Sequence, residues 1–363
     1  MTLGPEDDNQ AIFFNYTLST EYPTTPQVLS TVDPSTAKLK IIAYGNVSLV
    51  IITLGILGNL VNLAVLTRPN LKGVTFTYLT WLATSDLLVL AISVFSMMRL
   101  HDSQPRNYAA AFYSAHAELP LVNALMASNV FLVVAVTVDR YCAVCTPTRY
   151  SKFHNARRAR LSIVLAYGAA ALLYLPSIFR KRPVLVWDGV ANRTMYVSFE
   201  NLSVARHPAF RVYLIVREVL VRIGPVIIVL VLNTIIIFTF RNLTRKREQL
   251  SKGAVYYSKR LTRERRLVVL LGAIVVLFCV CMTPAAVLRV LNSDDLEVHY
   301  GFQVFRAIAN DMEMANFAAN FYLYCLCSSD IRDTLVRLFR CSKTPPNASV
   351  SDVTSSVGQN TRL

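Results

Sequence analysis

The sequence predicts an all-α protein, a seven-transmembrane helix bundle followed by a short amphipathic helix 8. Three observations carry this prediction. Hydrophobic residues make up 54% of the 363-residue chain and charged ones only 16%, too little polar surface for a soluble protein of that size. The apolar residues are massed in runs instead of recurring at the periods of a half-wet helix or strand. Seven of these runs are long enough to cross a hydrocarbon core at the helical rise of about 1.5 Å per residue.

The runs cover roughly 41–66, 75–98, 113–140, 160–179, 212–240, 266–291 and 300–326. Ahead of them, residues 1–40 form an N-terminal tail. It opens MTLGPEDDNQ, with no basic stretch before an apolar one, so no cleaved signal peptide is expected and segment 1 serves as an uncleaved anchor. Segment 1 carries Asn59. Segment 2 is interrupted by Asp86, segment 3 by Glu118, Asn123 and Asn129, and segment 7 by Asp311, Glu313, Asn316 and Asn320, so these last three are the weakest by hydropathy. Pro176, Pro225 and Pro284 break the hydrogen-bond ladders of segments 4, 5 and 6. The seven-helix domain thus spans 41–326. Residues 327–341 include SSDIRDTLVRLFR, an amphipathic helix ending at Cys341, a thiol placed either for acylation at the interface or to stay unmodified. The tail, 342–363, is rich in Ser and Thr and reads as disordered and cytoplasmic.

Charge sets the orientation. Lys plus Arg is 37 against 22 for Asp plus Glu. With the amino terminus outside, 23 of those basic residues fall in the inner loops, the inner end of segment 3 and the tail, and 14 fall elsewhere. This is the positive-inside bias of a plasma-membrane protein with an extracellular amino terminus and a cytoplasmic carboxy terminus. It ties the net +15 to topology and an anionic leaflet, and leaves nucleic acid a poor second. The glycosylation triplets at Asn15, Asn192 and Asn201 fall on the outer side. All seven cysteines lie in segments 3, 6 and 7 or on the inner side, so no extracellular disulfide is expected. Their C-x-x-C-like spacing lacks a histidine partner, and no metal site is expected beyond a sodium ion at Asp86.

Polar groups at bilayer depth are costly, and each is either a helix-to-helix tie or a functional group. Asn59, Asp86, Asn129, Asn316 and Asn320 would form one polar core if the bundle buries them jointly, a water-filled or sodium-holding site. Asp139 and Arg140 end segment 3 on the inner side, where Glu264 opens segment 6. They are either charges resting at the interface or, paired, a clamp between helix ends that breaks when the helices separate.

The strings GNLVN at Asn59, LATSD at Asp86, DRYCAVCTP from Asp139, FCVCMTP ending at Pro284 and NFYLY from Asn320 to Tyr324 resemble those of class A, rhodopsin-like G protein-coupled receptors, over about 41–341. The resemblance implies a G protein-coupled receptor and no enzyme. It casts the five polar residues as a sodium and water network, Arg140 as the group that enters the G protein interface, Glu264 as its resting partner, and Tyr324 as a part that moves on activation. The departures are Met282 for the usual tryptophan toggle, Phe321 for proline, Tyr167 for tryptophan, Asn233 for tyrosine and Ala115 for the cysteine of the usual outer disulfide. With DRYCAVCTPTRY, GPVIIVLVLN and ANFYLYC, this set is similar to the FMRFamide-receptor-like and GPR139-like branch of peptide receptors.

Above the polar core, Glu118, Asn123, Arg217, Arg289, Arg306 and Glu313, with nearby aromatics, make a mixed rim. It suits a short charged or amidated neuropeptide better than a lipid, although pairs such as Glu218 with Arg222 could satisfy one another at i,i+4. The basic stretch from Arg241 to Arg266 would flank a heterotrimeric G protein. The tail would meet a receptor kinase, arrestin and, through Thr361, Arg362 and Leu363, a PDZ protein. A transporter or channel would use the buried polar residues as a path, but it calls for inverted repeats or a Gly-rich filter, and neither is seen. No cofactor other than the sodium ion is implied.

Overall fold

The computed structural model describes residues 34–69, 71, 73–101, 107–146, 155–188, 193–250, 255–291, 296 and 299–339. Seven long helices form the bundle. Helix α1 comprises Pro34–Lys40, a π turn at Ile41–Val47 and Ser48–Leu66, and α2 is Val74–His101. Helix α3 comprises Tyr108–Phe112, a π turn at Tyr113–Glu118 and Leu119–Cys145. Helix α4 is Ala156–Tyr174 and tightens into a 3₁₀ turn at Leu175–Phe179, where Pro176 removes a donor. Helix α5 comprises Pro208–Glu218, a π turn at Val219–Ile223 and Gly224–Leu250; α6 is Val255–Leu291 and α7 is Tyr300–Cys327. Helix α8, Ser329–Phe339, follows after Ser328. Side chains cap several of the starts: Asn107 accepts from the Ala110 amide at 2.9 Å, Asn155 from the Arg157 amide at 3.1 Å and His207 from the Ala209 amide at 3.3 Å.

Composition makes six of these helices apolar and long enough to cross a membrane. The seventh, α7, matches them in length but carries Arg306, Asp311 and Glu313, so its place in the bundle is set by what it packs against. Leu, Ile and Val line the outside of the bundle, among them Leu54, Leu57, Leu165, Leu172, Ile227 and Val276, as a surface facing hydrocarbon should. Inside, Leu79, Leu82, Leu132, Val136, Leu270, Ile274 and Tyr324 pack in the inner half. Ile52, Leu90, Val130, Phe278, Met282 and Phe317 pack at mid-height.

Helices α1 and α7 approach closely at two glycines. A β-carbon added at Gly55 would lie 2.7 Å from the Ala318 β-carbon and 2.7 Å from Leu90, and one at Gly58 would lie 3.0 Å from Phe321. Glycine lets the backbones meet there, as small residues do between membrane helices. Helix α8 presents Ile331, Thr334, Leu335 and Leu338 to the inner core and Arg332, Asp333 and Arg337 outward.

The structure adds to the all-α expectation at one place. Lys181–Asp188 (β1) and Arg193–Glu200 (β2) pair antiparallel, from Lys181 opposite Glu200 to Asp188 opposite Arg193. The strands carry Val184, Val186, Tyr196 and Val197, residues suited to a half-covered ribbon, and Pro183 is tolerated because a two-stranded ribbon is all edge. The helices also outrun the apolar segments. Helices α5 and α6 continue on the inner side because good helix formers such as Arg, Lys and Glu need no hydrocarbon to stay helical.

Candidate functional site

Asp86 is fully buried. Its carboxylate accepts from the Asn129 amide on α3 through one oxygen and from the Asn320 amide on α7, at 2.6 Å, through the other. Ser85 accompanies it, 3.1 Å from the Ser128 hydroxyl and donating to the Leu125 carbonyl at 3.1 Å, so α2 and α3 are tied by polar bonds at one level. Asn59 donates to the carbonyls of Gly55, at 2.9 Å, and Phe317, at 3.0 Å. It therefore binds α1 to α7 and meets the Asp86 group only through that helix. Asn316 is buried one turn outward of Asn320 and Tyr324 one turn inward. Asn59 Oδ1, both polar atoms of the Asn62 amide and the Tyr324 hydroxyl are buried without a protein partner, and buried polar atoms of that kind call for internal solvent. Asn62 is a member of this inner polar region that sequence reasoning missed, although an amide one turn beyond Asn59 on an apolar helix was a readable signal.

Toward the outer side a chain of charges crosses the bundle. Arg217 donates to Glu218 at 2.9 Å and to the Ser177 hydroxyl at 3.1 Å, and its guanidinium lies 4.9 Å from the Tyr174 ring centre and 5.5 Å from that of Tyr213. Arg222 donates to the other Glu218 oxygen and, at 3.3 Å, to Glu313 on α7. The side chains of Arg222 and Glu313 are only 9% and 6% exposed, so this pair links α5 to α7 away from water. The i,i+4 pair of Glu218 and Arg222 is present, yet it is one link of a longer chain. Arg222 lies within the π turn at Val219–Ile223, which begins two residues after Arg217 and changes the phase of α5, a shift that the spacing in the sequence could not reveal.

Of the other rim residues, Glu118 ends the π turn of α3 and accepts from Ser96 on α2. Asn123 spends its amide on the Leu119 carbonyl of its own helix, at 2.7 Å. It borders an outer pocket of about 80 Å³ shared with Tyr174, Ser177, Arg180, Lys181 and Arg217. Arg306 is half-buried. On α7, Asp311 accepts from Ser48 and Asn310 donates to Tyr44 at 3.0 Å, fastening the outer ends of α1 and α7. A deeper cavity of about 220 Å³ is lined by Met126 and Val130 of α3, Tyr174 of α4, Arg222, Ile223, Val226 and Ile227 of α5, Phe278, Met282, Thr283, Ala286 and Val287 of α6, and Glu313 of α7.

The outer cover is held without sulfur. Ala115 is buried, and His116 Nδ1 lies 2.8 Å from the Ile178 carbonyl. Tyr108 of α3 meets Tyr196 of β2 edge to face at 5.4 Å. The six described cysteines are free. On the inner side Arg140 donates to the neighbouring Asp139 at 2.5 and 3.1 Å, and Arg266 of α6 donates to Ser329 at the start of α8, a bond no motif signalled. Asn201 follows β2, half-buried, its amide 3.4 Å from the Phe179 carbonyl. The side chains of Glu264 and Arg289 lie outside the described residues, as do Asn15, Asn192 and Cys341.

The family model for the seven-transmembrane receptor of the rhodopsin family matches residues 58–331. The chain is similar to "Probable G-protein coupled receptor AH9.1" of Caenorhabditis elegans, 33% identical over 86% of this chain and 79% of that protein. It is 28% identical to somatostatin receptor type 3 of Rattus norvegicus over 68% of this chain and 56% of that protein. It is also 26% identical to the human histamine H2 receptor over 86% of this chain and 84% of the other. A bundle with Asp86 bonded across three helices, and a family match that runs from the end of α1 through α7 into α8, place the chain in the rhodopsin family of G protein-coupled receptors.

Proposed function

We propose that the chain is a cell-surface receptor for a short extracellular peptide, with its amino terminus outside and its tail in the cytoplasm. The observation that carries the peptide reading is the charge chain of Arg217, Glu218, Arg222 and Glu313, walled by Tyr174 and Tyr213 and reached through the pocket beside Arg180 and Lys181. Fixed charges of both signs beside aromatic rings suit a ligand that carries its own charges and buries its own side chains. In this reading Glu118, Asn123 and Arg306 belong to that rim, and the sequence adds Arg289 as a candidate. The relatives named for somatostatin and for histamine leave peptide and amine both represented in the family, so the site itself favours the peptide.

Signal transfer then runs inward. A ligand that rearranges the Arg222–Glu313 pair moves α5 relative to α7, next to Met282 and Phe278 on the wall of the deeper cavity. At the inner end Arg140, released from Asp139 and from Glu264, meets the G protein, and Tyr324 re-forms its contacts. Asp86, a single buried carboxylate bonded by two neutral amides, suits a monovalent cation such as sodium and not a divalent one. Kinase and arrestin contacts at the Ser- and Thr-rich tail, a PDZ partner at its end and a lipid on Cys341 belong to the same reading.

The test is a panel of neuropeptides applied to cells expressing the chain with subtype-specific G protein sensors. An active peptide should lose at least about tenfold in potency with Arg217→Ala, the equivalent of about 1.4 kcal/mol. A response to amines and to no peptide would overturn the peptide reading.

A further inference from the structure

The cavity between α3, α5, α6 and α7 has two properties that an extracellular ligand does not explain. The first is its wall. Apart from Arg222, Glu313, Tyr174 and Thr283 it is apolar. Each of those four is engaged: Arg222 with Glu218 and Glu313, Tyr174 beneath Arg217, and Thr283 through its hydroxyl with the Cys279 carbonyl at 2.5 Å. Away from the Arg222–Glu313 pair, the wall of Met126, Val130, Val226, Phe278 and Met282 offers a guest no charge.

The second is its rim. Ile223 and Ile227 of α5 and Thr283 and Val287 of α6 border the cavity, and all four are exposed on the outside of the bundle. On α5 they continue an outward stripe with Val216, Leu220 and Val231, and on α6 one with Val276, Val280 and Leu291. Spacings of three and four put each set on one helix face. Residues on the outward faces of two neighbouring helices can border the same cavity only where it opens sideways between them. The opening is therefore onto the bilayer, close to Pro225 and Pro284, and not onto water.

We infer that the cavity binds the acyl chain of a membrane phospholipid, which enters between α5 and α6 and lies against Met126, Phe278 and Met282. A volume of about 220 Å³ would hold roughly seven waters at about 30 Å³ each, but an apolar lining keeps water out. Hydrocarbon is the surrounding solvent here, and a chain end that slides in gains dispersion contacts without giving up any hydration. The guest is neutral and flexible, supplied by the lipid matrix, and separate from the extracellular ligand at the outer pocket. Seated beside Met282, it props α6 away from α5.

The experiment uses the full chain in nanodiscs of phosphatidylcholine bearing a terminal diazirine on one acyl chain, irradiated and mapped by mass spectrometry. Adducts are expected on Met126, Phe278 and Met282, as well as on the outward residues Val276 and Val280. Ala286→Phe should remove the first set and keep the second. Adducts on Val276 and Val280 with none on the three cavity residues of the unsubstituted chain would overturn the proposal, whether or not the variant folds. Met126→Cys in intact cells adds the other arm: an impermeant thiol reagent applied outside should modify it no faster than the unsubstituted chain. Rapid modification would assign the cavity to water or to the extracellular ligand and overturn the proposal equally.

Discussion

Asp86 is held by two amides and by no cationic side chain among the described hydrogen bonds and ion pairs, so its charge is matched only if a cation or proton joins it. Asp86→Asn keeps the shape and removes the charge. We expect it to reach the surface and to abolish the sodium dependence of agonist binding, read by competition in sodium and in a larger organic cation. Glu313→Ala leaves Arg222 with Glu218, so the loss should stay below the about 3–5 kcal/mol of a buried charge left with no partner. Thermal unfolding in detergent should fall clearly, with Glu313→Gln intermediate. At the inner end, Glu264→Ala should raise ligand-free G protein release several-fold, in keeping with about 1 kcal/mol for a partly exposed pair, whereas Arg140→Ala should bind agonist and release little G protein. Unaltered basal release at equal surface expression would leave Glu264 a resting interface charge. Asp86, Asn129 and Asn320 were legible in the sequence because polar groups at bilayer depth stand out against apolar runs. The bond from Arg222 to Glu313 was not, because residues 91 apart meet only after helix order, the phase shift of a π turn and helix rotation are all fixed.

At the scale of elements, the helices were legible from apolar runs and prolines, and their ends less so, since hydropathy marks the edge of the lipid and not the end of the hydrogen-bond ladder. The π turns in α1, α3 and α5 left no mark that a single sequence shows. The hairpin's two strands, of eight residues each, lie in the connection between two strong spans, where hydropathy gives no separate signal. Contact between elements gives its own prediction. Gly55→Leu would drive α1 away from Ala318 and Leu90, whereas Gly168 and Gly272 have no atom within 4 Å of an added β-carbon. Surface expression and thermal stability should drop for the first, and Gly168→Ala and Gly272→Ala should be neutral or slightly stabilising.

For the whole molecule, the charge asymmetry predicts an orientation. An epitope before Met1 should be labelled on intact cells, and one after Leu363 only after permeabilisation; labelling of both on intact cells would reverse the reading. The outer cover has a consequence of its own. Among the described contacts, Tyr108 of α3 meets Tyr196 of the hairpin edge to face, and His116 of α3 meets the Ile178 carbonyl at the end of α4, just before the hairpin, where a disulfide would typically add about 2–4 kcal/mol by restricting the open chain. We expect the cover and the bundle to have separable stabilities. The hairpin amides should exchange hydrogen long before those of the inner core, and an impermeant reductant should leave the response unchanged. Such a molecule should mature without waiting for an oxidant, and a cover that opens separately from the bundle should shorten the stay of a ligand beneath it.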